Sequence, residues 1–368
     1  MTSEWRTIRA ADFIDFNPRL SLKKGDIATK VAMDKLKPFT KKIPETEKAE
    51  FNGGAKFCNG DTVMARITPC LENGKTAYVD MLDDGEIGFG STEFIVMRAK
   101  TGISDPQFVY YTAINPVFRN VAIKSMVGSS GRQRVQQSVL EELELSVPDL
   151  DEQRRIGDFL ARIDEKIALN DRINDNLQQQ AQAIYSSMFI DNPDPAWSHG
   201  HLSDLITVKY GKDHKKLADG IYPVYGSGGI MRYVERPLYN KESVLIPRKG
   251  TLNNVMYVNQ PFWSVDTMFY TEMKLPNVAK FVYHFVKAKD LASMNAGSAV
   301  PSMTTDILNA MEVVIPSASA LKEFESLVAP MYEAMEANDV QSKALSQMRD
   351  TLLPKLMSGE IDVSDIQL

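Results

Sequence analysis

The sequence predicts a mixed α/β (α+β) protein in which two related globular domains alternate with two long helices. Three observations lead to this fold class: a seven-residue apolar repeat, an internal duplication, and short strand-like runs separated by turn dipeptides. A chain of 368 residues is also longer than one hydrophobic core ordinarily fills, so more than one domain is expected.

The apolar repeat covers residues 151–191 and predicts one long helix. Its heptad positions are Ile156, Ile163, Asn170, Leu177 and Ile184. Neighbouring core positions are assigned to Phe159, Ile167 and Ile173. A repeat of this length is typical of a coiled-coil seam, and the helix would span about 55–60 Å at 1.5 Å per residue. Such a helix suggests a spacer between two other parts of the chain.

An internal duplication gives this helix a partner in the same chain. With Pro148 placed on Pro316, an offset of 168 residues, the flanking sequences align without a gap. A further match, residues 108–110 on residues 281–283, lies at an offset of 173. The second seam therefore lies in residues 320–357, at Phe324, Met331, Asn338, Leu345 and Leu352. The chain is interpreted as two copies of one unit, a globular region followed by a long helix.

Asn170 and Asn338 occupy equivalent heptad positions near the middle of the two helices. In an antiparallel pair mid-helix positions meet, so the two side chains are expected to hydrogen-bond and fix the register. The alternative is that both are exposed polar residues on a solvated face. An antiparallel pair within the chain would make a homodimer unnecessary.

The predicted domain boundaries follow from the duplication and from the Pro-rich break at residues 191–195. They give a first globular domain at 1–148, a spacer helix at 149–191, a second globular domain at 192–318 and a second spacer helix at 319–368. In the first domain, strands are predicted at 62–67, 75–79 and 93–98, a helix at 106–121 and an amphipathic run at 138–147. In the second, strands are predicted at 221–225, 243–247, 255–258 and 267–273, and a helix at 280–288.

Charge is segregated along the chain although the whole carries −6. Residues 19–48 and residues 209–249 each carry nine Lys/Arg against four Asp/Glu, a net +5. The helical segments 149–190 and 319–366 carry net charges of −3 and −5. A basic block in each globular domain favours nucleic acid as a ligand, with the acidic charge kept on the helices.

The candidate binding residues lie in two similarly placed sets of loops. Arg and Lys contact phosphate or guanine, Asn can pair with adenine, and Gly allows close backbone approach. In the first domain the candidates are Arg66, Thr68, Asn73, Lys75, Ser129, Ser130, Arg132 and Gln133. In the second they are Tyr225, Ser227, Arg248, Lys249, Thr251, Asn253, Asn254 and Ser298. The alternative is that these are ordinary solvated turns.

Catalytic and metal-binding patterns fail on inspection. The NPVF sequence at 115–118 lacks the second proline of the methyltransferase element and falls inside a predicted helix, and the acidic residues at 164–165 lie on the long helix, where they would not converge with Asp149 on a metal. The four histidines show no metal-ligand spacing, and the two cysteines fit a reducing cytoplasm without a zinc site. No window of 18 apolar residues predicts a membrane span. We therefore expect binding chemistry without catalysis.

Five stretches together resemble the specificity subunit of Type I restriction–modification enzymes. They are VPDLDEQRRI at 147–156, YPVYGSGGI at 222–230, VLIPRKG at 244–250, PFWSVD at 261–266 and LPKLMSGEI at 353–361. The resemblance covers nearly the whole chain, including its two-copy layout. The first copy departs from it after Arg66, where the Lys-Gly that follows Arg248 is missing, so the first-domain contacts are less well defined.

The resemblance implies that the globular domains are target-recognition domains, each reading one half of a split site in double-stranded DNA. The paired helices would set the spacer between the halves and dock two modification (methyltransferase) subunits. Restriction subunits are expected as optional partners. S-adenosylmethionine, ATP and Mg²⁺ would be bound by those partners, and this chain is expected to hold no cofactor or metal. Two alternatives stay open: a protein-interaction scaffold with two binding domains, and a self-sufficient DNA enzyme.

Overall fold

The computed structural model describes residues 5–129, 131–294 and 302–366. By their contacts the residues form two compact units: Met1–Arg172 with Asn338–Leu368, and Ile173–Ala337. Each unit contains one globular domain and one half of each long helix. The domain boundaries predicted from the sequence differ from this division, because they treat each long helix as a separate segment.

The globular part of the first unit is built on two four-stranded sheets. Its strands are β1 (Arg6–Arg9), β2 (Ile14–Phe16), β3 (Ile27–Val31), β4 (Glu47–Glu50), β5 (Ala55–Phe57), β6 (Thr62–Ala65), β7 (Thr76–Tyr78), β8 (Gly88–Gly90), β9 (Phe94–Ala99) and β10 (Glu144–Val147). Its helices are α1 (Ala10–Phe13), α2 (Pro106–Ile114), α3 (Pro116–Lys124) and α4 (Gln137–Glu141). The sheet orders are β2-β9-β6-β7 and β4-β3-β8-β5, and β1 pairs with β10.

Two elements of the first domain differ from the prediction. The single helix expected at 106–121 is two helices, because Pro116 cannot donate a backbone hydrogen bond and the Asn115 side chain instead accepts from the Val117 amide at 3.1 Å. The amphipathic run at 138–147 is the short helix α4 followed by strand β10 rather than one element.

The second unit repeats this plan. After the long helix α5 (Leu150–Ser186), its strands are β11 (Ser198–His201), β12 (Ile206–Tyr210), β13 (Asp219–Gly226), β14 (Gly229–Val234), β15 (Ser243–Pro247), β16 (Met256–Val258), β17 (Trp263–Ser264), β18 (Met268–Met273) and β19 (Glu312–Ile315). Its helices are α6 (Leu202–Leu205), α7 (Ala279–Lys287), α8 (Thr305–Asn309) and the long α9 (Ala318–Leu356). The order β12-β18-β15-β16 matches β2-β9-β6-β7, and β13 runs parallel to β17 as β3 does to β8. The predicted mixed α/β tandem repeat is confirmed.

The long helices are capped and tied to their own domains at their starts. The Asp149 carboxylate accepts from the Glu152 amide at 2.9 Å, and the Ser317 hydroxyl accepts from the Ala320 amide at 3.2 Å. The buried Gln153 amide group donates to the carbonyl of Ile103 and accepts from the Asp105 amide. α5 is followed by a π-helical turn at Ser187–Asp191, which ends two residues before Pro193.

Within each unit the two helices run antiparallel. In the first unit Asp164 meets Arg349 and Asn170 meets Gln341, and in the second Asn174 donates to the carbonyl of Met335. The expected core position Ile173 is wrong, because its side chain is 37% exposed. The buried stripe of α5 passes through Leu160 and Ala181 instead, since an α-helix of 3.6 residues per turn drifts away from a strict seven-residue repeat.

Asn170 is fully buried in the helix pair of the first unit. Its amide nitrogen donates to Gln341 Oε1 at 3.0 Å, to Ser342 Oγ at 3.1 Å and to the main-chain oxygen of Asn338 at 3.4 Å. Asn170 thus contacts the main chain of Asn338 and two side chains of the following turn, and the pairing of the two Asn side chains stays a prediction. Asn170 Oδ1 is buried with no hydrogen-bond partner among the described residues.

Each domain is anchored to its helix halves by a buried polar network. In the first unit Arg349 Nη1 lies 2.5 Å from Asp164 Oδ1, and the Tyr111 hydroxyl donates to Asp164 Oδ2 at 2.7 Å. Lys41 Nζ donates to the Tyr111 oxygen at 3.3 Å, and burial lowers the pKa of Lys41 to about 8. The C-terminal Leu356 packs into the same core.

The second unit has a neutral network at the corresponding place. His284 Nδ1 lies 2.7 Å from Gln182 Oε1, and its Nε2 lies 2.9 Å from the Tyr332 hydroxyl. The duplication places His284 on Tyr111 and Tyr332 on Asp164, so the two copies use different chemistry at equivalent positions. Burial lowers the pKa of His284 to about 4. No helix in the described part of the chain is long and apolar enough to cross a membrane.

Arg349→Gln should destabilise the protein by about 3–5 kcal/mol, because it leaves the Asp164 carboxylate buried without its cation. The double variant Asp164→Asn/Arg349→Gln should recover much of this loss, since neutral amides can still hydrogen-bond and Tyr111 keeps an acceptor. Chemical denaturation measures both. The control Arg154→Gln, which breaks the exposed pair with Asp151, should cost about 0–1 kcal/mol, and an equal cost for Arg349→Gln would contradict the prediction.

Lowering the pH from 6.5 towards 4 should destabilise the second unit through His284. Its folded-state pKa lies below the value of the unfolded chain, so the unfolded chain binds more protons in this window and stability falls as the pH falls, by up to about 1.4 kcal/mol per pH unit. Urea titrations followed by tryptophan fluorescence at several pH values test this. His284→Gln should flatten the dependence, and an unchanged slope in that variant would rule out His284 as its source.

Candidate nucleic-acid interface

The two basic blocks differ once ion pairs are assigned. In the first block Lys30, Lys35, Lys42 and Lys48 pair with carboxylates, and Lys41 is buried. Arg19, Lys23, Lys24 and Lys37 make no ion pair among the described residues. In the second block only Lys209 and Arg232 are paired within the described ranges. Much of the basic charge that favours nucleic acid in the first domain is thus neutralised internally, whereas the second domain keeps most of its own.

Two segments of the first domain come together as the first loop surface, defined as residues 66–75 and 127–134. The Thr68 amide donates to the Gln133 carbonyl at 3.0 Å, and the Val135 amide donates to the Arg66 carbonyl at 2.8 Å. Ile67 and Val127 both bridge to Arg134. The structure therefore joins the candidates Arg66, Thr68 and Gln133 to the loop that carries Ser129 and Arg132.

The side chains on this surface differ in how free they are. Arg132 and Ser129 are exposed, and the Arg132 side chain makes no hydrogen bond or ion pair with other described residues. Arg66 Nη2 donates to the Val135 carbonyl at 3.3 Å, while its Nε is buried without a described partner. Arg66 also lines an open cleft of about 610 Å³ with Arg19, Lys56 and Phe94. The surface therefore offers cationic donors. Ser130 lies outside the described residues.

Arg134, adjacent to the candidates, is held by Glu93. Its Nε and Nη2 both donate to the Glu93 carboxylate, at 2.6–3.0 Å. These hydrogen bonds keep the pKa of Glu93 below its usual range. The bidentate pair ties Arg134 to the residue that precedes strand β9, so Arg132 is the more available guanidinium.

Lys75 does not point freely into solvent. Its Nζ donates to the carbonyl of Met33 at 2.8 Å and so ties residues 33–40 to the first loop surface. The Lys75 ammonium group is thus engaged within the protein, and the direct DNA contact predicted from the sequence stays a prediction. Asn73, two residues earlier, is exposed.

The second loop surface is defined as residues 225–229 and 248–254. Asn254 Nδ2 donates to the Ser227 carbonyl at 2.8 Å, which joins the two segments. Gly250 has a φ of 86°, which favours glycine, and a Cβ there would lie 2.7 Å from Ser227 Oγ. Lys249 and Thr251 are exposed, and the Arg248 guanidinium lies 5.3 Å from the Tyr210 ring centroid. Ser298 lies outside the described residues.

Three candidates of the second domain are engaged within the protein. Asn253 donates to Asp290 Oδ1 and accepts from the Ala292 amide, both at 3.0 Å, so both ends of its amide are occupied. The hydrogen bond from Asn253 lowers the pKa of Asp290. Asn254 is used in the loop contact described above, and Tyr225 is buried in a hydrophobic cluster. These three residues make contacts within the protein that shape the surface, and the direct DNA contacts predicted for them stay predictions.

Sequence reasoning missed two aromatic residues beside these surfaces. Tyr210 is 52% exposed beneath Arg248, and Phe39 is 59% exposed on the Asn73–Gly74 turn. Neither lies in a loop rich in Gly, Asn or Arg, so composition gave no signal. In the described part of the chain no cluster of three or more His, Cys, Asp or Glu could hold a metal ion.

Comparisons with known proteins agree with this architecture. The family described as Type I restriction modification DNA specificity domain matches residues 3–179 and 196–326. The Type I restriction enzyme HindI specificity subunit of Haemophilus influenzae is 22% identical over 417 residues, covering 82% of this chain and 86% of that protein. The MjaIX specificity subunit of Methanocaldococcus jannaschii is 24% identical over 288 residues, covering 66% of each.

A solved structure has the same fold. The Type-I restriction-modification system S subunit from M. genitalium superposes with a TM-score of 0.58 at 18% identity, covering 96% of both chains. The family match covers both globular domains and extends into the helices, in step with the duplicated sheets and loop surfaces. The chain belongs to the Type I restriction modification DNA specificity domain family, and its role is DNA sequence recognition.

Proposed function

We propose that the chain reads a split DNA site, with the first loop surface on one half-site and the second loop surface on the other. The observation that carries this proposal is the presence of one loop surface, with exposed cationic donors, on each of two domains with matching sheet order. Two related readers in one chain fit two separate half-sites better than one continuous site. The helix pair would then set the length of the unread spacer.

The proposed contact residues are those candidates that the protein leaves available or that lie on the loop surfaces. On the first surface they are Arg66, Thr68, Asn73, Ser129, Arg132 and Gln133, and on the second Ser227, Arg248, Lys249 and Thr251. Ser130 and Ser298, which lie outside the described residues, are kept as candidates from the sequence alone. Arg and Lys would contact phosphate or guanine, and hydroxyls and amides would add hydrogen bonds. Lys75, Tyr225, Asn253 and Asn254 would hold the loops in place.

We propose further that the helices dock two modification subunits, with restriction subunits as further partners. Leu169 on α5 and Val340 on α9 are exposed apolar side chains in the first unit, and such residues are typical of interface cores. Exposed carboxylates such as Asp158 and Glu165 add negative charge to α5. The partners would supply S-adenosylmethionine-dependent methyl transfer and, for restriction, ATP and Mg²⁺.

In this proposal the chain itself performs no catalysis and acts in the cytoplasm, where the DNA is. A protein-binding scaffold is the rival function. It has no counterpart in the family match, and it would leave DNA binding indifferent to changes on the loop surfaces.

Arg132→Ala and Lys249→Ala should each weaken DNA binding by the assembled complex, and each should act on one half-site only. Loss of one phosphate contact lowers the slope of log affinity against log salt by about 0.9, whereas loss of a base contact relaxes one position. Equilibrium binding at several salt concentrations, with substituted half-sites, measures both. The matched controls are Lys124→Ala and Lys241→Ala, exposed cations outside the loop surfaces. Variants that behave like these controls would refute the assignment.

A further inference from the structure

Phe39 is an exposed aromatic residue in a backbone conformation that disfavours it. It follows Pro38 in a turn, has φ of 54° and leaves 59% of its surface in solvent. At a turn position with positive φ, Gly or Asn is ordinarily found, because a side chain with a Cβ strains the backbone there. Neither hydrophobic burial nor turn preference accounts for a phenylalanine at this site, and strained residues of this kind cluster at binding sites.

The surrounding structure holds the ring at the edge of the first loop surface. The Phe39 amide donates to the Gly74 carbonyl at 2.9 Å, and a Cβ on Gly74 would lie 2.6 Å from the ring. The Arg119 guanidinium carbon lies 5.3 Å from the ring centroid, and Arg119 Nη2 donates to the carbonyl of Glu72 at 2.7 Å. The ring therefore lies on the 71–74 turn as a fixed apolar projection.

Asn73 belongs to the same turn and supplies complementary chemistry. Its side chain is exposed and makes no hydrogen bond to any other described residue. A free Asn amide can pair bidentately with N6 and N7 of adenine in the major groove. The base opposite adenine, thymine, presents a methyl group in the same groove, and phenylalanine contacts such methyl groups.

We propose that Phe39 and Asn73 together read one A·T base pair of the first half-site, Phe39 through the thymine methyl and Asn73 through adenine. This inference rests on the proposed function of the first loop surface. It adds Phe39, which lies outside that surface, as a specificity-determining residue. It also assigns a base pair to this edge of the domain.

The test replaces thymine by uracil, which removes only the methyl group. After the half-site is mapped, each of its thymines is replaced singly, and binding by the complex with the modification subunit is measured. At one position uracil should weaken wild-type binding about fourfold, the equivalent of one buried methyl group. Phe39→Asn, which suits the positive φ, should be insensitive to uracil there, and Phe39→Leu should keep part of the sensitivity.

Asn73→Ala provides the second arm. At the same base pair it should reduce the preference for A·T over G·C by about 5- to 100-fold, the discrimination of a good bidentate contact. The control Ile27→Asn removes an equally prominent apolar side chain of the same unit, 69% exposed on β3, and should leave uracil sensitivity intact. Unchanged reading of the other positions of the first half-site by Phe39→Asn shows that the first domain of the variant is folded.

The proposal is overturned if no thymine shows a loss that depends on Phe39. It is equally overturned if Phe39→Asn weakens association with the modification subunit and leaves base preference unchanged, because the ring would then bind protein. Failure of the proposed function looks different: the wild-type complex would show no first half-site at all. That result would reject the proposed function and the inference about Phe39 and Asn73 together, without any comparison of variants.

Discussion

The first domain depends on a contact with the far end of the chain. Arg349 of α9 pairs with Asp164 of α5 at 2.5 Å in a buried site, and Leu353 and Leu356 fill the core that also holds Phe108 and Leu140. A chain lacking its last thirty residues would leave the Asp164 carboxylate buried and this core open. Pairing of the two helices thus contributes to the stability of the first domain.

A buried ion pair of this kind selects a partner more than it adds stability. Desolvation of two charges offsets most of their attraction, but an alternative register that left either charge alone would be much less stable. Asn170 also favours this register of the two helices, because its amide nitrogen lies within hydrogen-bonding distance of three acceptors on α9. Together these groups bind a specific segment of α9 to a specific segment of α5.

The duplication shows which features the two copies share and which they vary. Sheet order, the parallel strand pair and the polar anchor to the helices recur in both units. The anchor itself has changed from Tyr111 and Asp164 to His284 and Tyr332. The loop surfaces have diverged most: one is tied down by Arg134 and Glu93, the other by Asn253 and Asp290. A common framework with different loops suits two readers of different sequences.

The helices, their antiparallel pairing and the repeated domains were predicted from the sequence alone. Regularly repeated packing contacts require apolar residues at a regular spacing, and that spacing is visible in the heptads and in the internal duplication. The sequence predicted less of the interface. Whether Lys30 is free or paired with Glu47, or whether Asn253 faces solvent or Asp290, depends on residues far apart in sequence. The prediction of Ile173 as a core residue was wrong because an α-helix has 3.6 residues per turn, so its buried face shifts away from a strict seven-residue repeat. Phe39 was missed because its positive φ and its exposure cannot be inferred from composition.

In the proposed function, one chain carries two separate DNA-reading domains. Methylation mapping by single-molecule sequencing of DNA modified by the complex with its modification subunit tests this most directly. We expect two short fixed sequences separated by a gap of constant length and free composition. A single continuous recognition sequence would show that the two domains do not read separate half-sites.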